Sequence, residues 1–492
     1  MHENLSTDAL APPRRFHDAL RRRFALDVRS LAAFRIALGL ILVADAVLRT
    51  RDFALMFAAD GIFPPPLVRG YFEGDPSQWS LALVRDEAWW AGAILGLEGI
   101  AGACLAIGWR TAVAVPVAWL AQVSVYRRTM PAANAGDVLL ACLLFWSCFL
   151  PLGAVWSLDA RRRGARASPP RPREVCGVAT AALVLQVMVV YLGAGLAKCN
   201  ASWLDGGAVR QALSLHDHGT PLGTWFAATD WVTVPASWAV LAAEVSGPLA
   251  FLAWPAARPA IVAGFMAFHV VIWLTMSVGL FAPIGIAAWL PLIPARLWGP
   301  RGPRLADRCG TDCPSAPARG LCAVAALLAA VSFFHESIPW RKRAVPDPLR
   351  PAIHALSMTQ RWGMFATVPR YEHWICGRAE LADGRVVDLL RGGRPVEAGR
   401  PVGGCTSLPD HRWHKFLWIL PQATVRPFAP SLAAALARQW NARHGADERV
   451  VAVEICCAER DLAAADAPLQ ETLLGCWPDR DTAGAGNLDR FL

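Results

Sequence analysis

At 492 residues the chain exceeds an ordinary single soluble domain. Hydrophobic residues make up 55% of it and charged residues only 18%, in long runs free of charge, which excludes a soluble globular protein and indicates a polytopic membrane protein. The net charge is +9, but the arginines stand in short segments between apolar runs, so they read as topology determinants and exclude a nucleic-acid surface.

Residues 1–30 are polar and basic, with Arg14, Arg15, Arg21, Arg22, Arg23 and Arg29, and show no short apolar core followed by a small-residue cleavage site. They predict a cytoplasmic leader. A transmembrane domain is expected over 31–338. Apolar runs at about 31–50, 88–109, 111–126 and 137–156 predict the first four spans, with Arg35 and Asp45 in the first and Glu98 in the second. Six arginines without an acid then fall between Arg161 and Arg173, the strongest marker of a cytoplasmic segment. Five further runs follow at about 175–199, 232–254, 259–279, 281–298 and 319–335, and they carry Lys198, Glu244 and His269. About nine spans from a cytoplasmic N-terminus place everything beyond 338 outside. Basic residues at the leader, Arg110, 161–173, Arg258 and 296–308 agree with that alternation, and only Arg127 and Arg128 offend it.

Residues 339–492 change character. Turn pairs such as Asp383-Gly384 and Gly392-Gly393, the alternating run VVAVEICC and an amphipathic stretch at 429–444 predict a small external α+β domain. In an oxidising compartment, Cys376, Cys405, Cys456, Cys457 and Cys476 predict one disulfide of undetermined pairing. Six other cysteines, Cys104, Cys142, Cys148, Cys176, Cys199 and Cys322, lie in or beside apolar runs, where the thiol behaves as a small hydrophobe.

Of the 48 basic residues only Lys198, Lys342 and Lys415 are lysines. A guanidinium stays protonated, whereas a desolvated amine can act as a base, so a lysine at the end of an apolar run has chemical content. Such a lysine, followed by Trp203, can equally snorkel to the interface. Ionisable residues inside spans cost roughly 2.5–3.5 kcal/mol each on insertion scales, so Arg35, Asp45, Glu98, Lys198, Glu244 and His269 are expected to be paired or functional. Glu98, Glu244 and Asp45 also fit a plain role as bonds between helices.

The segment AGLAKCNASW, with Tyr191 ahead and Gly206 behind, resembles the lysine-bearing segment of the vitamin K-dependent gamma-carboxylases and their bacterial relatives with the HTTM domain. FHVVIWLTMSVGLFAPIGIAAWLP, which begins at Phe268, is similar to a carboxylase segment with a membrane histidine. QRWGMF from Gln360, LADGRVVDL from Leu381 and DHRWHKF from Asp410 resemble the start of the lumenal domain. The resemblance implies Lys198 as the base toward reduced vitamin K or menaquinol, His269 as a second active-site residue, and Tyr191, Trp203 and Glu244 around the quinol. It implies no metal. In that family oxygen converts the quinolate into a stronger base, which removes a glutamate γ-proton before carbon dioxide adds. The expected surroundings are a bacterial inner membrane, with lipid or quinol as ligand and a protein or peptide substrate at the external domain.

Two departures accompany the resemblance. Where full carboxylases carry Asn-Asn-His, this chain has Asn134, Ala135, Gly136 and Asp137, and it ends at Leu492, short of their distal propeptide-recognition part. A related quinol-linked reaction therefore stands beside carboxylation. A non-enzymatic lipid-binding or assembly protein is the alternative from another class, and a transporter comes third because no internal repeat is visible. Trp362, Trp374, Trp413 and Trp418 read equally as an aromatic core for docking the external domain. The Cys309/Cys313 pair and the His216/His218 pair are weak metal signals, and Gly193 and Gly195 fit close helix packing.

Overall fold

The computed structural model describes residues 14–164, 171–215, 218–299, 305–312, 315–341, 343–367, 371–397, 399–401, 403–461 and 469–478. The first thirteen residues, the middle of the arginine run at 165–170, His216, Asp217, Cys313 and Lys342 lie outside the described residues.

A surface helix α1 (Arg14–Phe24) and a short strand β1 (Leu26–Asp27) precede the first membrane helix, α2 (Val28–Thr50). Then come α3 (Ala88–Ile107), α4 (Thr111–Arg128), α5 (Ala135–Ser147), β2 (Arg171–Cys176), α6 (Val178–Ala197), α7 (Asp230–Ala253), α8 (Arg258–Thr275), α9 (Phe281–Trp289), β3 (Leu305–Thr311) and α10 (Ala316–Glu336). Every expected span contains a helix, although the fourth is α-helical only to Ser147 and the eighth only to Trp289. Among the described residues, six helices are long and apolar enough to cross a membrane: α2, α3, α6, α7, α8 and α10. The other three fall short for local reasons. Helix α4 carries Gln122, Ser124, Arg127 and Arg128; α5 is 13 residues long; and the apolar stretch beginning with α9 stops at Leu292. Thirteen residues rise roughly 20 Å, against a hydrocarbon core of about 30 Å.

The basic segments gather on one face. Strand β1 pairs antiparallel with β2, and β2 pairs parallel with β3, so the leader, the end of the 161–173 run and the segment after α9 share one sheet. Asp27 caps α2 through the Arg29 N–H and grips the Arg29 guanidinium at 2.7 Å. Asp159 caps α4 from across the same face, accepting from the Arg110 and Thr111 amides at 2.9 and 2.8 Å. Asp312 does this for α6 through the Thr180 amide, and its carboxylate packs so closely on Gly177 that no side chain would fit there.

Arg127 and Arg128, the pair that broke the charge alternation, are fully buried and act inside the fold. Arg127 donates to the Trp79 carbonyl at 2.9 Å and to Ser357 Oγ at 2.9 Å. Arg128 donates to the carbonyls of Phe63 and Phe57 at 2.6 and 2.8 Å. They tie down loop carbonyls that would otherwise be unpaired in the interior, which accounts for their standing apart from the basic face.

The opposite face carries a five-stranded antiparallel sheet in the order β6-β5-β4-β7-β8, built from β4 (Tyr371–Leu381), β5 (Val386–Asp388), β6 (Arg394–Pro395), β7 (Val450–Asp461) and β8 (Gln470–Trp477). Two helices accompany it, α11 (His411–Ile419) and α12 (Ala429–Asn441). Ile375, Ala379, Val453, Ile455 and Cys457 face α12, while Trp374, Cys376 and Ala458 lie on the other side. No disulfide joins any two of Cys376, Cys456, Cys457 and Cys476, so the expected bridge is not formed among them. Cys376 and Cys456 stand opposite each other in the β4–β7 register, but Cys457 is turned to the other face. Trp413 packs with Phe416 and α12, whereas Trp362 belongs to the core of the helical part together with Val345, Ile353 and Met358.

Helix α11 docks this domain onto the membrane helices. The His411 ring lies where Gly279, at φ +58°, has no side chain. Burial, with Arg412 alongside, pushes the imidazole down to about 4. The unfolded chain protonates this histidine near pH 6.5, so the unfolded state binds more protons below that value. Stability contributed here is present above about pH 6.5 and is lost as pH falls toward 4. Thermal unfolding at pH 7.5 and pH 5.0 is expected to show a lower midpoint at the acid pH, with a smaller difference in His411→Gln. An unchanged difference in that variant would contradict this assignment.

Candidate functional site

Helix α6 presents the site. Tyr191 and Lys198 are two turns apart on it, hence on one face. The helix stops at Lys198 because Asn200 turns extended and donates its side-chain amide to the carbonyls of Ala197 and Ala366, at 3.1 and 2.7 Å. Gly193 and Gly195 bring neighbouring helices close. A Cβ on Gly193 would meet Ser337 Oγ at 3.1 Å, and one on Gly195 would meet the Glu244 Cβ at 3.0 Å. This is close helix packing, as the Gly-x-Gly spacing suggested.

Lys198 does not reach the surface. Helical side chains lean toward the N-terminus of their helix, and the Lys198 Nζ donates to Glu244 Oε2 of α7 at 2.7 Å. The two side chains are 5% and 7% exposed. The ammonium also lies 5.2 Å from the centre of the Trp203 ring, whose Nε1 donates to the Phe365 carbonyl at 3.0 Å.

A second pair sits two turns back. The Tyr191 hydroxyl accepts from Trp289 Nε1 at 2.8 Å and lies 2.6 Å from His269 Nε2. The indole takes one lone pair of the hydroxyl; where the hydroxyl's own hydrogen goes to Nε2, the imidazole hydrogen sits on Nδ1. Nδ1 is buried and has no hydrogen-bond partner among the described residues. The His269 ring fits only because Gly285 of α9 has no side chain, and Phe265 stacks on Trp289 at 4.4 Å beside it. All five residues expected at the site are thus brought into two hydrogen-bonded pairs, with Trp203 against the first.

The sequence of this chain matches the profile of the HTTM domain over residues 24–298, more than half its length. The chain belongs to the HTTM domain family. Comparison with curated proteins and with solved structures finds no match. Tyr191, Lys198, Trp203, Glu244 and His269 all lie inside the HTTM domain.

A buried charge cluster near the external domain completes the HTTM core. Asp45 accepts from Arg49 at 2.7 Å and from Arg412 of α11, and Arg49 also reaches Asp137 at 2.9 Å and Thr129 Oγ1 at 3.2 Å. Asp137 is held within the fold on both of its carboxylate oxygens. Its other oxygen accepts the Asn134 amide at 2.8 Å while Asn134 caps α5 in return. Glu98 is fully buried beside this cluster, with its carboxyl group against that of Asp45. The Asp45–Arg49 spacing of four was the readable signal for this cluster. Arg412 is far away in sequence and offered none. Arg35, also in a span, is a helix cap: its guanidinium holds the carbonyls of Leu105 and Ala106 at the end of α3 and that of Trp156.

Of the two remaining sequence signals, one member of each pair lies among the described residues. His218 packs edge-on against Phe365 and Trp418, Cys309 lies in β3, and their sequence partners His216 and Cys313 lie outside the described residues.

Proposed function

We propose that this HTTM protein is a quinol-linked membrane enzyme in which Lys198 takes a proton from reduced vitamin K or menaquinol, with glutamate carboxylation or a related oxidation as the overall reaction. The observation that carries this reading is the unpartnered Nδ1 of His269, whose ring is bonded to Tyr191 two turns along α6 from the buried Lys198–Glu244 pair. A buried ring nitrogen without a hydrogen-bond partner is costly, and a quinol oxygen would supply one. The quinol, when bound, supplies reducing equivalents and a phenolic proton.

The chain's own residues do the rest. Two buried charges carry a desolvation cost, and moving the shared proton from Nζ to Glu244 Oε2 removes both charges and frees the amine lone pair. Lys198 then accepts the next proton, with Glu244 as its store. Tyr191 fixes the histidine tautomer, and His269 Nδ1–H orients the bound oxygen. Helices α7 and α8 turn apolar side chains outward, Trp238, Leu249, Val271 and Trp273 among them, which suits access for a prenyl chain from lipid.

The proposed setting is a bacterial inner membrane, with the N-terminus cytoplasmic and the β4–β8 domain outside, where a protein or peptide substrate is received. Nine crossings fit the sheet on the basic face. Four of the expected spans lie between β1 and β2 and four between β2 and β3, and an even number of crossings, with α4, α5 and α9 counted among them, returns the chain to one side.

A specific feature favours a second reading, in which the protein binds lipid or assembles with a partner without catalysis: the Lys198 ammonium is already neutralised by Glu244, as in a scaffold bond between α6 and α7. Menaquinol titrated into the protein in lipid nanodiscs, followed by tryptophan quenching, separates the two. The enzyme reading predicts saturable binding, weakened roughly tenfold in His269→Phe by loss of one hydrogen bond. Absence of saturable binding by the natural chain favours the scaffold.

A further inference from the structure

We propose that the cleft between α1 and the α7–α8 turn is a binding site for the headgroup of an anionic phospholipid. The cleft encloses about 390 Å³, with an apolar floor that includes Phe251, Pro291 and Leu292 and a rim formed by Arg21, Arg22 and Arg23.

Helix α1 is held there by Arg258, the first residue of α8. Arg258 donates to the Arg22 and Arg23 carbonyls at 2.8 and 3.0 Å, taking up free carbonyls at the end of α1. Its Nε bonds the Phe251 carbonyl at 3.0 Å. Such contacts fix a short surface helix that has little stability of its own. Their effect is to hold three consecutive arginines over the cleft.

The charge in the cleft is not balanced. Asp27 is taken by Arg29 at 2.7 Å, and Glu174 is paired with Arg21 at 3.3 Å. Arg22 and Arg23 are exposed, and their side chains make no ion pair or hydrogen bond among the described residues. Asp18 on α1 is also exposed. Two guanidinium forks above an apolar floor match a phosphodiester whose chains continue into lipid. The acyl chains have a place to lie, since Leu249 and Trp254 at this end of α7 are 54% and 65% exposed. Tryptophan at that level is characteristic of the membrane interface. A free phosphate uses the arginines and has no use for the floor.

Native mass spectrometry of the purified full chain, loaded with phosphatidylglycerol or phosphatidylcholine, tests this. The natural chain is expected to retain phosphatidylglycerol in preference. Arg22→Gln/Arg23→Gln should weaken retention roughly tenfold or more. Arg161→Gln/Arg162→Gln, on the same basic face but outside the cleft, should retain it as the natural chain does. The Arg258 contacts are made to backbone, so α1 stays docked in the first variant. Equal retention by the Arg22/Arg23 variant, or equal loss in the Arg161/Arg162 variant, overturns the site. Full displacement of the lipid by inorganic phosphate overturns the lipid as its occupant. The site stands or falls independently of the quinol reading.

Discussion

Arg49→Met is expected to lower the unfolding free energy by about 3–5 kcal/mol, the range seen when one partner of a buried ion pair is removed. Arg49 bonds Asp45 and Asp137 at once, and all three side chains are buried or nearly so. Methionine fills much of the arginine's volume, so the loss comes from stranding charge and not from a cavity. Asp45 keeps Arg412, but Asp137 keeps only its backbone bond to Asn134. Arg49→Met/Asp137→Asn should therefore recover part of the loss, and that coupling isolates the pair. Arg49→Lys retains the charge but cannot fork to two carboxylates, so an intermediate loss is expected. Thermal unfolding in nanodiscs, compared among the variants, provides the measurement. Stability of Arg49→Met equal to the natural chain would remove the ion cluster from the account of how α2 and α5 are joined.

Lys198→Met is expected to cost about as much, roughly 3–5 kcal/mol, because Glu244 is left without its partner in an apolar site. Lys198→Met/Glu244→Leu should return most of it, since replacing a buried pair by apolar side chains is often neutral or better. Lys198→Arg keeps a cation beside Glu244 and should unfold close to the natural chain. That last variant separates the two roles of the residue, because it preserves the bond between α6 and α7 while removing an amine able to give up its proton. A large loss of stability in Lys198→Arg would show that the site tolerates only the slimmer amine. The variant could not then be used to judge chemistry.

The apolar runs made every expected span legible as a helix, because a helix in lipid satisfies its own backbone and needs only length and hydropathy. Three of them are too short or too polar to count as crossings by themselves, and periodicity gave no warning of that in α5, whose run continues apolar through the turn after Ser147. The rule that places arginine on the basic face misread Arg127 and Arg128, since composition does not distinguish an arginine facing water from one clamped on loop carbonyls. At the site, Lys198, Glu244 and His269 stood out as ionisable residues in apolar runs. Their pairing could not be read, because Tyr191 meets His269 from 78 positions away and Lys198 meets Glu244 across 46. Arg412 lies far from Asp45 in sequence, and only the docking of α11 brings the two together. The unformed disulfide is not a matter of strand face, since β4 and β7 bring Cys376 and Cys456 opposite each other and no bond joins them.

The most direct test of the central proposal is oxygen-dependent oxidation of menaquinol and vitamin K hydroquinone by the purified chain in nanodiscs, measured beside Lys198→Arg. The prediction is turnover by the natural chain and a loss of at least about a hundredfold in the variant, the usual scale for a general base, with the two proteins unfolding at similar temperatures. Equal turnover by both proteins, or none by a natural chain shown to be folded, would contradict the assignment of Lys198 as the base and leave the Lys198–Glu244 pair as a bond between helices.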